Sequence, residues 1–435
     1  MTARVWPLGG LWRHPDFLRL WSAQTVSQLG TQVSQLALPL TAILVLDASA
    51  FQVAFLNTVE FLPFLLFTLP AGVWVDRLRR RPILVLADLG RALALGSVPL
   101  AHALHLLTIW QLFLVGFAVG VGTVFFDVSY QSYLPSLVER GQLVEGNSKL
   151  EVSRAGATIA GPGLAGALVG AITAPFAVLV DAVSYLGSGA LIFRIRSPEA
   201  PSEPVATPSL RRELWEGLRY LVLHRYWRPI AICTALSNFF GQVGFSILLV
   251  YAVRALGLSP QLIGLSLIPL GIGSLVAATG APRISRRIGV GPTIIAAAVL
   301  FGPASLLVPV APKSGPIPFL TASFALLGFV GILYNITGIS LMQTLTPERL
   351  LGRLNASRRF IVWGTIPLGA LTGGILASSI GLRPTLWVGA LGSCLCFVPI
   401  LLSPLRSLAD MPSEPEPDPL RSFGAMQPSS PGLDA

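Results

Sequence analysis

The chain has 435 residues, 53% of them apolar and 11% charged, with a formal net charge of +10. A soluble domain keeps about a quarter of its residues charged, so a soluble enzyme or binding module is excluded. Apolar runs of about 20 residues recur along the whole length and predict an all-α, polytopic membrane protein.

In chain order, the basic opening MTARVWPLGGLWRHPDFLRL lacks an apolar core with a small-residue cleavage site, so no removable leader is expected. About twelve spans follow, near 17–46, 52–75, 83–104, 109–133, 152–171, 175–193, 229–252, 260–282, 292–311, 317–341, 360–379 and 384–404. The first contains QTVSQLGTQVSQ, where polar groups are costly unless they face a cavity or another helix. Gln24, Gln28 and Gln35 fall on one helical stripe with Ser27, Thr31 and Ser34, and Gln32 widens it. In the second span Glu60 lies about 12 Å inside the outer face, with no basic residue one turn away. Desolvation there disfavours the charged carboxylate. The carboxyl can carry a coupling proton, meet a cationic ligand, or bond a neighbour and stay neutral. The span ends in GVWVDRLRRRP (Gly72–Pro82).

Asp88 precedes Arg91 by three residues in the third span, a same-face pair with a structural role. Asp127 is about 26 Å along the fourth, level with the arginine loop, and is expected to pair with Arg77 or Arg81. The fifth span carries GATIAGPGLAGALVG. Its small residues favour close packing, and Pro162 between Gly161 and Gly163 kinks the helix. Asp181 lies about 9 Å from the outer end of the sixth. Residues 194–228 read as a Pro/Ser/Glu-rich linker, then an amphipathic helix capped by Ser209. The seventh span offers Asn238 and Gln242 among Phe239, Phe240 and Tyr251. The tenth offers Tyr334 and Asn335, and the eleventh Trp363. A disordered tail is expected after the last span. The expected organisation is a bundle at 1–193, a linker at 194–228, a second bundle at 229–405 and a tail at 406–435.

The basic residues collect on one side of this arrangement, including Arg13, Arg77–Arg81, Arg140, Arg286 and Arg353. The other side receives only Arg254, Lys313 and Arg383. The positive-inside rule then puts both termini in the cytoplasm. The positive charge reports topology, and no nucleic-acid partner is expected. Cys233, Cys394 and Cys396 all lie in apolar runs, which indicates neither disulfides nor a metal cluster. No GxxxxGK[ST] loop and no HExxH pair occurs, so a nucleotide-driven pump and a metal hydrolase are not expected, nor is any cofactor. YLPSLVERGQLVEGNSKLEVSR, leading into the fifth span, parallels LMQTLTPERLLGRLNASRRF, leading into the eleventh. A parallel repeat of two six-helix halves follows, with a substrate site near mid-membrane between them.

GVWVDRLRRRP resembles the G-x-x-x-D-R-x-x-R-R loop of the major facilitator superfamily, with Gly72, Asp76, Arg77, Arg80 and Arg81 in register and Arg79 in place of a glycine. LWSAQTVSQLGTQVSQLALPL, FFDVSYQSYLPSLV, GPGLAGALVGAITAPFAVLVDAVSYL and WEGLRYL resemble the macrolide-efflux and enterobactin-exporter-like permeases. The resemblance implies that Asp76 braces the start of the eleventh span, near Ser357 to Phe360, and that the arginines make contacts that break as the halves rock. Asp127 joins that gating set; the alternative is a cluster that only sets topology. Gly72 is expected to let the second span approach a neighbour closely. Gly161, Pro162 and Gly166 resemble a degenerate copy of the glycine–proline motif of exporters in this superfamily. The resemblance also places the first span on the central cavity. Gln24, Gln28, Thr31 and Gln35 then face substrate together with Asn238, Gln242, Tyr334, Asn335 and Trp363, unless the stripe is an interhelical packing surface. A cavity of amides and aromatics suits a bulky amphipathic compound of drug, macrolide or siderophore type. The implied function is proton-coupled export by a monomer in a bacterial cytoplasmic membrane, with Glu60 and Asp181 as coupling acids. A passive facilitator or importer of the same fold is the alternative.

Overall fold

The computed structural model describes residues 10–197, Glu199 and residues 210–408. Its helices are α1 (Pro15–Leu44), α2 (Ala50–Arg77), α3 (Arg80–Ala103), α4 (Ile109–Leu137), α5 (Leu143–Ile172), α6 (Ala174–Phe193), α7 (Leu210–Leu223), α8 (Trp227–Phe245), α9 (Pro260–Ile288), α10 (Val290–Val310), α11 (Ile317–Leu345), α12 (Glu348–Ile380) and α13 (Leu382–Ser393). α8 runs on through a short turn into a π-helical stretch at Tyr251–Ala255. Among the described residues, eleven helical segments are long and apolar enough to cross a bilayer. α1 is 30 residues long and falls outside that set, because its glutamines dilute its apolar content.

Local chemistry sets the boundaries. A capping box joins Ser49 and Gln52 at the start of α2, and the hydroxyls of Thr108 and Ser259 cap α4 and α9. The chain reverses between α5 and α6 at Thr173, and between α12 and α13 at Gly381, with φ of 70° and 94°. These are corresponding corners of the two halves. The second uses the residue that tolerates left-handed backbone, and the first holds a β-branched side chain there.

Two helices begin well before their apolar stretches. α5 starts at Leu143 and α12 at Glu348, about nine and twelve residues earlier than hydropathy places them. In α5 the polar extension is supported by the pairs Lys149–Glu145 (2.8 Å) and Arg154–Glu151 (2.5 Å), one turn apart. In α12, Arg353 is ion-paired with Glu216 of α7. α7 is the amphipathic helix expected in the linker. It lies along α12, and Gly217 leaves room for the Arg353 carbonyl and the Ser357 hydroxyl. Ser209, most of the Pro/Ser/Glu-rich linker and the tail after Leu408 lie outside the described residues.

In the first half α1 packs on α5 and α6, α2 on α4, and α3 on α4 and α6. In the second, α8 packs on α12 and α13, α9 on α11, and α10 on α11 and α13. The extensive contacts between halves are α5 with α9 and α2 with α12. At the end away from the arginines one apolar core runs through both halves, joining Leu40, Leu56, Val169 and Ile247 to Ile263, Phe324 and Leu386. At the basic end the core divides. Phe17, Leu84 and Tyr133 belong to one cluster, and Tyr220, Ile294, Leu341 and Leu350 to another. Lipid-facing positions are plain on α3, where Leu86, Leu93 and Leu100 recur every seven residues at 68%, 75% and 62% exposure.

Candidate functional site

The halves are clasped at the end opposite the arginine loops. Gln242 of α8 donates its amide N–H to Asn57 Oδ1 of α2 (2.6 Å), and the Thr58 hydroxyl reaches the Pro367 carbonyl of α12 (3.4 Å). Further out, the Arg254 guanidinium binds Asp47 (2.6 Å) and the Ala48 carbonyl (2.9 Å).

Toward the basic end the same helices separate around cavities. One, of about 270 Å³, lies between the halves and is lined by Phe64, Asp127, Gln131, Asn335, Arg359 and Trp363. A second, of about 220 Å³, penetrates the second half among Trp227, Thr234, Asn238, Phe301, Tyr334 and Arg358. Asn335 and Arg358 line both. A third, of about 280 Å³, lies further out, sharing Asn238 and Phe301 with the second and reaching Gln242, Phe324 and Leu386. Four of the residues singled out in the second half, Asn238, Tyr334, Asn335 and Trp363, therefore border adjoining cavities. Gln242 borders the third and belongs to the outer clasp. The Tyr334 hydroxyl is fixed by Thr234 (2.9 Å) and the Ile230 carbonyl (3.3 Å), and Trp363 packs edge-on to Phe64 (5.3 Å) across the halves.

The α1 stripe divides between two surroundings. Thr31 bonds the Tyr185 hydroxyl of α6 (2.8 Å), Gln24, Ser27 and Ser34 are buried, and Gln32 packs on Gly161 of α5. At Thr31 that edge is an interhelical surface, which corrects the expectation that Thr31 faces substrate; Gln24 is buried and lines none of the described cavities. Thr31 adjoins the α6 side of α1, where Gly30 admits Ser184 and Asp181. Gln28 is half-buried and Gln35 exposed, while Leu36 is 4% exposed. A cysteine at Gln35 is expected to react with a water-soluble thiol reagent many times faster than one at Leu36. Equal rates would make the whole stripe packing surface.

The acids also separate. Glu60 sits about 15 Å along α2, its side chain against Gly116 of α4, in a groove that Gly116 and Gly120 open. It has no hydrogen bond or ion pair among the described residues, and it lies one turn outward of the cavity-lining Phe64. Asp127 does not pair with Arg77 or Arg81. α4 continues ten residues beyond it, about 15 Å, so it stays deep and faces the cavity between the halves, within electrostatic reach of Arg91 and Arg359. Asp181 is 1% exposed and bonds the Ser184 hydroxyl (3.0 Å), with Ser34 of α1 beside it. Asp88 and Arg91 form the expected pair (2.5 Å), wholly buried, with the guanidinium against the Tyr185 and Phe126 rings. Removing one partner of such a pair costs about 3–5 kcal/mol, in keeping with a structural role.

In the loop cluster, Arg80 pairs with Glu199, and Arg81 binds the Phe193 carbonyl and covers its ring. Both hold to their own half. Arg77 is exposed, and the Asp76 side chain lies outside the described residues. A Cβ on Gly72 would meet nothing within 4 Å, so close approach is not what places glycine there, contrary to expectation. Arg358 and Arg359 escaped the sequence reading. They appeared to precede the eleventh span, whereas α12 carries them about 15 Å from its start.

A family profile described as transmembrane secretion effector, within the major facilitator superfamily, matches residues 8–429. The chain belongs to that family. The multidrug efflux pump Tap of Mycolicibacterium fortuitum is 27% identical over 416 residues, covering 93% of this chain and 99% of the relative. Macrolide efflux protein A of Streptococcus pyogenes is 23% identical over 399 residues, covering 90% and 97%. In fold, the chain is similar to a bacterial homologue of the iron transporter ferroportin in its inward-facing state. The TM-score is 0.73 at 20% identity, covering 90% of this chain and 99% of the other. Family and fold make it a polytopic membrane transporter.

For this secretion-effector permease the glycine–proline helix has a definite position. Gly161 receives Gln32 from α1, the Pro162 carbonyl lies on Gly264, and Gly166 faces Gly264 across the halves. A Cβ on Gly166 would stand 3.1 Å from the Gly264 Cα, and one on Gly264 3.0 Å from the Gly166 Cα. Motif and partner thus form the α5–α9 contact between the halves.

Proposed function

We propose that this permease is a proton-coupled exporter of a bulky amphipathic organic compound, working as a monomer by alternating access in a bacterial cytoplasmic membrane, with both termini inside. The observation that carries the reading is the division of the core: continuous through both halves at one end, split around polar and aromatic cavities at the basic end. By the positive-inside rule the basic end is cytoplasmic, so the chamber opens toward the cytoplasm, where an exporter collects its cargo. The names of the relatives, a multidrug efflux pump and a macrolide efflux protein, support the outward direction. Asn238, Gln242, Tyr334, Asn335, Trp363, Gln28 and Gln35 form the binding surface, where amides orient a largely apolar ligand. Glu60 carries the coupling proton; Asp181, whose carboxyl is bonded to Ser184, is the comparison acid. Gly72, Asp76, Arg77, Arg80 and Arg81 form the cytoplasmic gate.

Transport into inverted membrane vesicles tests the proposal, using a panel of antibiotics, dyes and siderophores with an imposed pH gradient. Accumulation that requires an acid interior is the expected result. Equilibration indifferent to the gradient would replace export with facilitated diffusion.

A further inference from the structure

Cavity-lining charge in this chain is unbalanced. Between Pro229 and Leu408 the sequence holds one acid, Glu348. It lies ten residues before Arg358 on α12, about 15 Å along the axis. Arg358 nevertheless stands at the junction of the 220 Å³ and 270 Å³ cavities. Its Nε is buried without a hydrogen-bond partner, and its electrostatic neighbours are Arg359 and the Tyr334 hydroxyl. Arg359 lines the cavity between the halves with its guanidinium over Trp363, 5.9 Å from the ring centroid. The facing carboxylate is Asp127 of the first half, within electrostatic reach of Arg359 and also of Arg91, whereas Arg358 has no acid among its electrostatic neighbours. Arginine within a span is costly unless it meets a partner, and a ligand is one such partner.

We infer that Arg358 and Arg359 form the subsite for an anionic group of the cargo, whose apolar body occupies the cavity among Trp227, Phe301 and Tyr334. The substrate class is an amphipathic organic anion. The guanidinium fork matches the planar geometry of a carboxylate and bonds the oxygens of a sulfonate or phosphate equally well. Asp127 offsets the Arg359 charge while the site is empty and competes there with the incoming anion, so its removal should strengthen anion binding. The inference rests on the reading of this chamber as a cargo site. It requires neither export nor proton coupling.

Three fluorescent probes with one apolar body separate the possibilities: dansylglycine (anion), its amide (neutral) and dansyl-ethylenediamine (cation). Their binding is measured on the purified full-length protein in neutral detergent. The anion is expected to bind at least about tenfold tighter than the amide, the worth of one good charge-assisted hydrogen bond, and the cation weakest. Arg358→Gln with Arg359→Gln should bring anion and amide to equal affinity. Arg358→Lys should keep part of the preference, and Asp127→Asn should tighten the anion alone. Amide or cation binding as tightly as the anion to the native protein overturns the inference without need of any variant. So does an anion preference that survives loss of both arginines, or failure of all three probes to bind. Loss of pH-driven transport with the anion preference intact would instead remove the proposal of proton-coupled export and leave this one standing.

Discussion

Leucine at Gly166 or Gly264 is expected to abolish transport while leaving the protein inserted and folded. These two glycines let α5 and α9 touch backbone to backbone: a single added Cβ on either would fall 3.0–3.1 Å from the opposite Cα, and closer still to the Pro162 or Pro260 carbonyl. A carbonyl and a Cα cannot rotate away as a flexible side chain would, so the helices themselves must part. Overpacking costs about 1–3 kcal/mol even where a core can adjust, and alternating-access states differ by only a few kcal/mol. The substitution therefore favours the state in which the outer ends have separated, and the cycle halts there. A cysteine at Asn57, whose side chain meets Gln242 when the outer end is closed, reports the change. In Gly264→Leu it should react with a membrane-impermeant thiol reagent added outside at least about tenfold faster, a shift of roughly 1.4 kcal/mol in the opening equilibrium. Gly187 on α6 is the control, since a Cβ there meets nothing within 4 Å; leucine at Gly187 should leave transport and reactivity unchanged. Full transport by Gly166→Leu would show that the α5–α9 contact is not part of the cycle.

Much of this architecture was legible because the bilayer imposes a strong pattern. Spans of 20 or more apolar residues, arginines on one side and a linker between repeats are set by hydrocarbon thickness and topology. Helix ends were less legible. α5 and α12 continue into the basic end as polar helices held by ion pairs, and hydropathy cannot distinguish such an extension from a loop. That concealed Arg358 and Arg359, although unbroken helical spacing from Leu350 through Trp363 would have signalled it. On α1, spacing located the polar stripe but not what it faces, because one helical turn separates Gln35, which is exposed, from Thr31, which bonds Tyr185. Asp127 was misassigned for lack of the true end of α4. The meaning of Gly166 was only half legible: its small size was evident, but its partner Gly264 lies 98 residues away and is identified by three-dimensional packing alone.

Glu60→Gln is expected to abolish accumulation against a concentration gradient and to spare equilibrium binding. The side chain occupies a groove against Gly116, and no cation or hydrogen-bond donor among the described residues answers it. An unpartnered carboxylate inside a span costs several kcal/mol, so the group gains most by exchanging its charge for a proton. It is one turn from Phe64, which lines the cavity between the halves, and three residues in the other direction from Asn57, which sits in the clasp with Gln242. Opening the clasp and closing the cavity would thus change the side from which Glu60 is reached, as exchange of a proton for cargo requires. Glutamine keeps the shape of the protonated form and cannot release a proton. Pumping should fall to background while exchange between equal concentrations of cargo persists. Glu60→Asp should retain part of the coupling with a displaced pH optimum, because the carboxyl remains but its reach is shorter. If Glu60 instead contacts a cationic cargo, the glutamine variant loses binding of cations and handles neutral compounds normally, so binding and pH-driven uptake must be measured on the same preparation. Asp181→Asn serves as the comparison. Its carboxyl is bonded to Ser184 beside α1 and lies away from the described cavities, so the expected loss there is in thermal stability, with the pH dependence of uptake unchanged. Undiminished pH-driven accumulation by Glu60→Gln would remove it from the mechanism and make Asp127, the acid lining the cavity between the halves, the next residue to test.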